Sequence, residues 1–295
     1  MNTQATIMEK SSIADRDYST RAILSRVFFY VVLILITLVV LMPVLWLVLA
    51  SLRLEENWQR YPIVIFPRIP QFINYITAMD AQYKFFKLAG NTLKIALPST
   101  VFTVCSSAMS GYAFARLKAP GKKLLFILVL SMLMVPRMVT QIPNFILFSR
   151  LGLTDTYWPW YLWGLSGASW NIFLFRQFFA TISKDLEDAA TVDGCSWFRT
   201  FWQIFLPLSG PVIATVAIFH FQWVWGDWFT PQIFLSAEKT TLGVAVGRYY
   251  VTPRGMAIQT LQTAATVLYL TPMLIIFLFM QKYIVQGIAT TGLKG

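Results

Sequence analysis

VFFYVVLILITLVVLMPVLWLVLA, residues 27–50, runs for 24 residues without one charged side chain. An α-helix rises about 1.5 Å per residue, so roughly 20 residues cross the ~30 Å hydrocarbon layer of a bilayer. The stretch therefore reads as a membrane-crossing helix. It exceeds the ~7–15 residues of a signal-peptide core, and is expected to remain as the first span rather than be cleaved.

The composition around it agrees. Of 295 residues, 57% are apolar, 16% aromatic and 13% charged, against about 25% charged in soluble domains. Mean hydropathy is +0.60. These values exclude a soluble globular enzyme, a disulfide-rich secreted domain and a disordered tail. The apolar stretches place six spans, at 27–50, 91–115, 124–147, 157–176, 209–230 and 260–281, giving an all-α polytopic membrane protein. Pro136, Arg137 and Pro143 interrupt the third, a break tolerated where neighbouring helices or water serve the freed backbone groups.

Six spans put both termini on one side. The short turn with Arg116, Lys118, Lys122 and Lys123 holds no acid, and residues 1–26 add Lys10, Arg16, Arg21 and Arg26. Basic residues beside span ends mark the cytoplasmic side, so both termini and residues 177–208 are expected in the cytoplasm, with loops 51–90 and 231–259 outside. Residues 1–26 read as a cytoplasmic tail and 27–295 as one membrane domain. The net charge of +11 is thereby assigned to topology and not to nucleic acid. Cys105 and Cys195 have no partner at metal-binding spacing, and the single histidine, His220, excludes a His-rich metal site.

The longest cytoplasmic segment has a local logic. Ser183 suits a helix N-cap, Asp185, Glu187 and Asp188 favour the positive end of the helix dipole, and Gly194 suits its end. Ser196 can cap a second short helix bearing Trp197, Phe198, Phe201, Trp202 and Phe205, which Pro207 ends. Two short helices with a sharp bend are expected. They serve either as an interfacial anchor or as a docking surface on which the small Ala189 and Ala190 permit close approach.

Glu187-Asp188-Ala189-Ala190, then Asp193-Gly194, then, with nine residues between, Ile204-x-Leu206-Pro207, resembles the coupling motif of ABC-importer permeases, in which Glu-Ala-Ala precedes the glycine. Asp188 stands where that motif has glutamate. Leu88-Ala89-Gly90-Asn91-Thr92, Arg116-Leu117-Lys118-Ala119-Pro120-Gly121, Ile142-Pro143, Leu151-Gly152-Leu153 and the closing Gly292-Leu293-Lys294-Gly295 are similar to the maltose-type carbohydrate permeases. Trp225-Gly226-Asp227 resembles their Trp-Asn-Asp/Glu, with glycine replacing asparagine. The resemblance implies the type I ABC importer architecture in a bacterial cytoplasmic (inner) membrane. It also implies a second permease subunit as heterodimer partner, two ATPase subunits and an extracytoplasmic binding protein that delivers a sugar, neutral or acidic. Segment 181–208 would couple to the ATPase through Glu187, Asp188, Ala189, Ala190, Asp193, Gly194, Ile204 and Pro207. This chain would bind no cofactor and catalyse nothing: it lacks the GxxxxGK[ST] phosphate loop, so ATP and Mg belong to the ATPase subunits.

Of the acids, only Asp227 falls inside an expected span, where an unpaired carboxylate is costly. It is read either as a lining residue that accepts hydrogen bonds from a sugar or as a structural carboxylate paired with backbone or an arginine. His220, Gln222, Trp223 and Asp227 are the candidates for the translocation path, since aromatic faces beside polar groups suit sugar rings. Lys94 is expected to snorkel; Arg137 could meet a carboxylate or an acidic substrate. A proton- or sodium-coupled secondary transporter is the alternative and would call for several intramembrane carboxylates. A membrane-embedded enzyme would need paired catalytic groups within the spans, and none is evident.

Overall fold

The computed structural model describes residues 20–58, 61–62 and 65–292. Most of the expected N-terminal tail and the last three residues of the closing signature lie outside that range. Among the described residues the architecture is helical, with a single isolated bridge between Val251 and Ala257.

Two helices are apolar and long enough to cross a membrane unaided, Ile23–Ser51 with 29 residues and Gln259–Gln281 with 23. The first belongs to the helix Thr20–Ser51, which starts before the expected boundary at 27. Phe28, Val39 and Met42 on it are 71%, 70% and 67% exposed, a surface suited to lipid or another apolar chain. The second belongs to Gln259–Gly292.

The centre of the fold is the helix Phe85–Arg116, 32 residues long, or roughly 48 Å. It buries small polar residues, among them Thr92, Ser99, Thr103 and Ser107; Thr92 and Ser99 return their hydroxyls to the Leu88 and Ala96 carbonyls, and Ser107 accepts the Ala168 N–H. Its main neighbours are the helices Trp158–Ser166 and Ser169–Thr181, and glycines let the backbones close in. A Cβ at Gly111 would lie 2.5 Å from Phe175 Cβ, and one at Gly164 would lie 2.8 Å from the Ser99 carbonyl oxygen. Close approach through small residues is how helices associate where lipid removes the hydrophobic drive between them.

The other expected spans are not straight. The stretch 124–147 forms Lys122–Met134 and Arg137–Arg150, which meet at 101°. Pro136 lacks the N–H that would continue the helix, and it holds Val135 in an extended conformation with ψ of 114°. The stretch 157–176 divides at Gly167, whose φ of +74° is a conformation that side chains oppose. The stretch 209–230 ends early. Gly210–Trp225 follows an 80° bend from Trp197–Leu208, and Phe229–Phe234 is a separate helix. Asp227 thus sits in the turn after the helix, not within it.

Loops 51–90 and 231–259 pack together at one end. The Asn91 side-chain amide donates to the Glu238 and Thr240 carbonyls at 3.1 Å each. Lys84 and Lys87 both clasp Glu238, and their hydrogen bonds hold its carboxyl down at about 2. Glu55 accepts the N–H groups of Gln259 and Thr260 at 2.9 Å each, a distant carboxylate placed at the positive end of the last helix. Segment 181–208 lies with Arg116, at the opposite end of the long helix.

Candidate coupling segment and transmembrane cavity

The segment forms the expected bent pair. Ser183 caps Lys184–Val192 by accepting the Asp185 N–H at 3.2 Å. Gly194 turns the chain with φ +74°. Its N–H reaches the Thr191 carbonyl and that of Cys195 reaches the Ala190 carbonyl at 2.9 Å, closing the helix end. Ser196 accepts the Arg199 N–H at 3.4 Å at the start of Trp197–Thr200. A π-helical turn, Phe201–Phe205, and a last turn with Pro207, Leu206–Leu208, complete it.

Two residues of the motif stand differently from expectation. Ala190 is 3% exposed, so only Ala189 of the small pair is open to a partner. Glu187 is turned inward, its carboxylate 3.4 Å from Arg116. Asp188, Asp193, Gly194 and Pro207 are exposed, while Ile204 is half-buried against the cluster of Tyr112, Phe179, Phe201 and Phe205. The outward surface sets apolar side chains among the exposed Lys184, Asp185, Asp188 and Asp193: Leu186, Val192, Trp197 and Phe198 are 44%, 87%, 70% and 64% exposed.

Arg116 ties the segment to the bundle. Its Nη2 donates to the Phe179 carbonyl at 2.7 Å and also to Ile182 O, its Nε donates to Phe179 O at 3.2 Å, and Nη1 faces Glu187. The guanidinium also lies 5.2 Å from the centre of the Phe205 ring. One side chain therefore joins the end of the long helix, the last turn of Ser169–Thr181 and the short helix. The sequence marked Arg116 only as part of a basic turn.

Of the path candidates, His220 and Trp223 line a cavity of about 520 Å³, within the range of small-molecule sites. His220 Nε2 and the Thr103 hydroxyl share a hydrogen bond of 3.2 Å. Gln222 is exposed away from the cavity. Asp227 also stands outside the lining, behind Arg137: its Oδ2 takes Arg137 Nη2 at 2.8 Å and its Oδ1 takes the Thr230 N–H at 3.0 Å. The pairing with arginine and backbone is the structural alternative for this carboxylate. The spacing of Trp223 and Asp227 does not place them on one helical face, because the helix ends at Trp225. Arg137 bridges them instead, its guanidinium 4.9 Å from the centre of the Trp223 ring. Gln141, Asn144, Trp163 and Trp170 complete the useful lining. They were legible only in part: Arg137 and Gln141 stand four apart, a helical spacing, just after Pro136.

A bundle of bent, apolar helices that border a largely apolar cavity studded with polar side chains, and that carry a pair of short surface helices, defines a membrane subunit of a transport system. Residues 104–290 match the family described as the binding-protein-dependent transport system inner membrane component, and this chain belongs to that family of ABC importer permeases. The arabinooligosaccharides transport system permease protein AraQ of Bacillus subtilis is 33% identical over 264 residues, covering 88% of this chain and 93% of that protein. The osmoprotective compounds uptake permease protein GgtD of Synechocystis is 35% identical over 206 residues, 69% of each chain. A chain from a bacterial ABC transporter involved in the import of the acidic polysaccharide alginate shares the fold, with a TM-score of 0.76 and 21% identity over 90% of this chain and 98% of that one.

Proposed function

We propose that this chain is one of two unlike permease subunits in an ATP-driven importer of a sugar or oligosaccharide, delivered by an extracytoplasmic binding protein across a bacterial cytoplasmic membrane. The observation that carries the reading is the segment 184–194. It is a capped short helix turned back by a positive-φ glycine, with apolar side chains exposed on its outward surface, in a chain of this family. An exposed apolar patch rimmed by acids marks a contact site for a protein or a membrane surface, and membership of this family favours the protein.

In this reading the chain crosses the membrane six times. The broken pair Lys122–Met134 and Arg137–Arg150 is one span, and Trp158–Ser166 with Ser169–Thr181 is another. Both termini and segment 181–208 face the cytoplasm. Two ATPase subunits bind ATP and Mg, and one of them receives the short helix. Asp188, Ala189, Asp193 and Gly194 would meet that subunit. Glu187 and Ala190 hold the helix to the bundle, and Ile204 and Pro207 set the following bend. His220 and Trp223 line the path; Asp227 acts through Arg137; Gln222 faces the second permease or lipid. A sugar as cargo draws support from relatives named for arabinooligosaccharides and alpha-glucosides. A proton-driven carrier is disfavoured by the engagement of Asp227, both of whose oxygens are occupied.

The test is reconstitution in proteoliposomes. The chain alone is expected to hydrolyse no ATP and to accumulate no sugar. Together with its partner permease, ATPase and binding protein it is expected to take up sugar only with ATP. Uptake driven by a proton or sodium gradient in the lone chain would overturn the proposal.

A further inference from the structure

We infer that the cytoplasmic end of the seam between the helices Lys122–Ser131 and Ser169–Thr181 holds one anionic phospholipid, with Arg176, Lys122 and Lys123 on its phosphate. The orientation rests on the importer reading above; the lipid partner goes beyond it.

Arg176 stands five residues before the end of its helix, roughly 8 Å along the axis. Its guanidinium lies 4.2 Å from the centre of the Phe126 ring, and its N–H groups have no acceptor among the described residues. The Phe114 ring, 5.3 Å away, steadies Phe126 from the long helix. Lys122 and Lys123 stand four and three residues before Phe126, the spacings that make neighbours on a helix surface. Three cations therefore gather around one ring. Arg176 and Lys122 are half-buried and Lys123 is exposed, so the cluster is reachable from outside the chain. Lys122 gives one of its donors to the Leu117 carbonyl, at 2.7 Å, and keeps two.

Among the described residues no acid neutralises them. Residues 81–154 and 156–184 contain no Asp or Glu, and none of the ion pairs involves these three cations. Glu187, at this end of the bundle, is engaged by Arg116. The positive-inside rule accounts for lysines in the turn; Arg176 lies beyond the turn, on another helix. The counter-anion comes from outside the chain, and the adjoining surface favours an amphiphile. No residue of Lys122–Ser131 is buried. Successive helical residues turn by about 100°, so Leu125 and Ile127 flank Phe126 on its two sides, and they are 54% and 51% exposed. Cations at the end of an exposed apolar helix match a charged headgroup with hydrocarbon chains, and basic recesses between helices on the cytoplasmic side take anionic headgroups. Free phosphate would leave the apolar surface bare, and a zwitterionic lipid brings a cation of its own.

The probe is phosphatidylglycerol carrying a photoactivatable diazirine in one acyl chain, doped into phosphatidylcholine nanodiscs that hold the assembled transporter. Labelled peptides are mapped by mass spectrometry. The expected result is labelling of 122–131 or 169–181 that excess unlabelled phosphatidylglycerol removes and that inorganic phosphate leaves in place. The same diazirine on phosphatidylcholine is expected to label these peptides far less. Lys123→Gln, an exposed substitution that the fold tolerates, and Arg176→Gln are each expected to weaken the labelling about fivefold, the effect of one basic charge near an anionic surface. Arg176→Lys is expected to retain part of it, and Lys184→Gln, an exposed lysine outside the cluster, to leave it unchanged. Equal labelling by the two lipids overturns the inference. Competition by inorganic phosphate overturns it in favour of a free anion, and absence of label from both helices overturns it in favour of a protein that covers them. ATP-driven sugar uptake by the same transporter in liposomes separates the two readings. Uptake without headgroup selectivity leaves the importer standing and removes the lipid site; headgroup-selective labelling without uptake in any lipid does the reverse.

Discussion

Gly111→Val is expected to abolish assembly of the transporter, while Gly90→Val in the same helix leaves it intact. At position 111 a Cβ would meet Phe175 Cβ at 2.5 Å, the Arg176 backbone nitrogen at 3.0 Å and the Ile172 carbonyl at 3.2 Å. None of these is the free end of a flexible side chain, so the two helices must separate. Overpacking of this kind costs typically 1–3 kcal/mol and more where backbone is the obstacle, which is a large fraction of a marginal stability. At Gly90 nothing lies within 4 Å. Size-exclusion chromatography of the co-expressed complex checks the pair. Equal recovery of the two variants would show that the contact between Phe85–Arg116 and Ser169–Thr181 does not hold the fold together.

Arg116→Ala is expected to produce a transporter that assembles poorly and, where assembled, spends ATP without moving substrate. The side chain is 11% exposed and serves two backbone carbonyls and Glu187. Its loss takes the side-chain donor from the Ile182 carbonyl, leaves the Phe179 carbonyl only the Ile182 N–H at 3.3 Å, and removes the partner of Glu187. The short helix then has no polar tie to the long one. Uptake per ATP is expected to fall at least tenfold. Arg116→Lys, which cannot reach three acceptors with one planar fork, is expected to recover only part of it, and Glu187→Gln to lose less than either. Normal uptake per ATP in Arg116→Ala would remove Arg116 from the transmission path.

Much of this was legible in the sequence, and the failures have one physical origin. Local signals carried the segment 183–207: Ser183, Gly194, Ser196 and Pro207 each act through their own backbone geometry, which a sequence displays. Hydropathy found the first and last long helices because they are uniformly apolar. Pro136 announces the break in the third, but hydropathy could not show that Gly167 and Ser209 divide or bend the others, because a window average is indifferent to direction. Asp227 was placed in a span for the same reason. Its actual setting depends on Arg137, 90 positions away in sequence, and no local pattern reports such a pairing. Ala189 and Ala190 looked equivalent as a small pair, yet adjacent residues on a helix face about 100° apart, so one meets the bundle and the other the outside.

The central claim is that the helix Lys184–Val192 is received by an ATPase subunit. Val192 is 87% exposed at its end and Ala190 is 3% exposed, which gives a matched pair of reporters. With Cys105 and Cys195 replaced by serine, a single cysteine is placed at Val192 or at Ala190 in the assembled transporter, and crosslinking is scored to cysteines on the ATPase surface. The expected result is a strong crosslink from Val192→Cys, altered by ATP, and none from Ala190→Cys. No ATPase crosslink from Val192→Cys in a transporter that still imports with ATP would contradict the account and reduce the segment to an interfacial anchor.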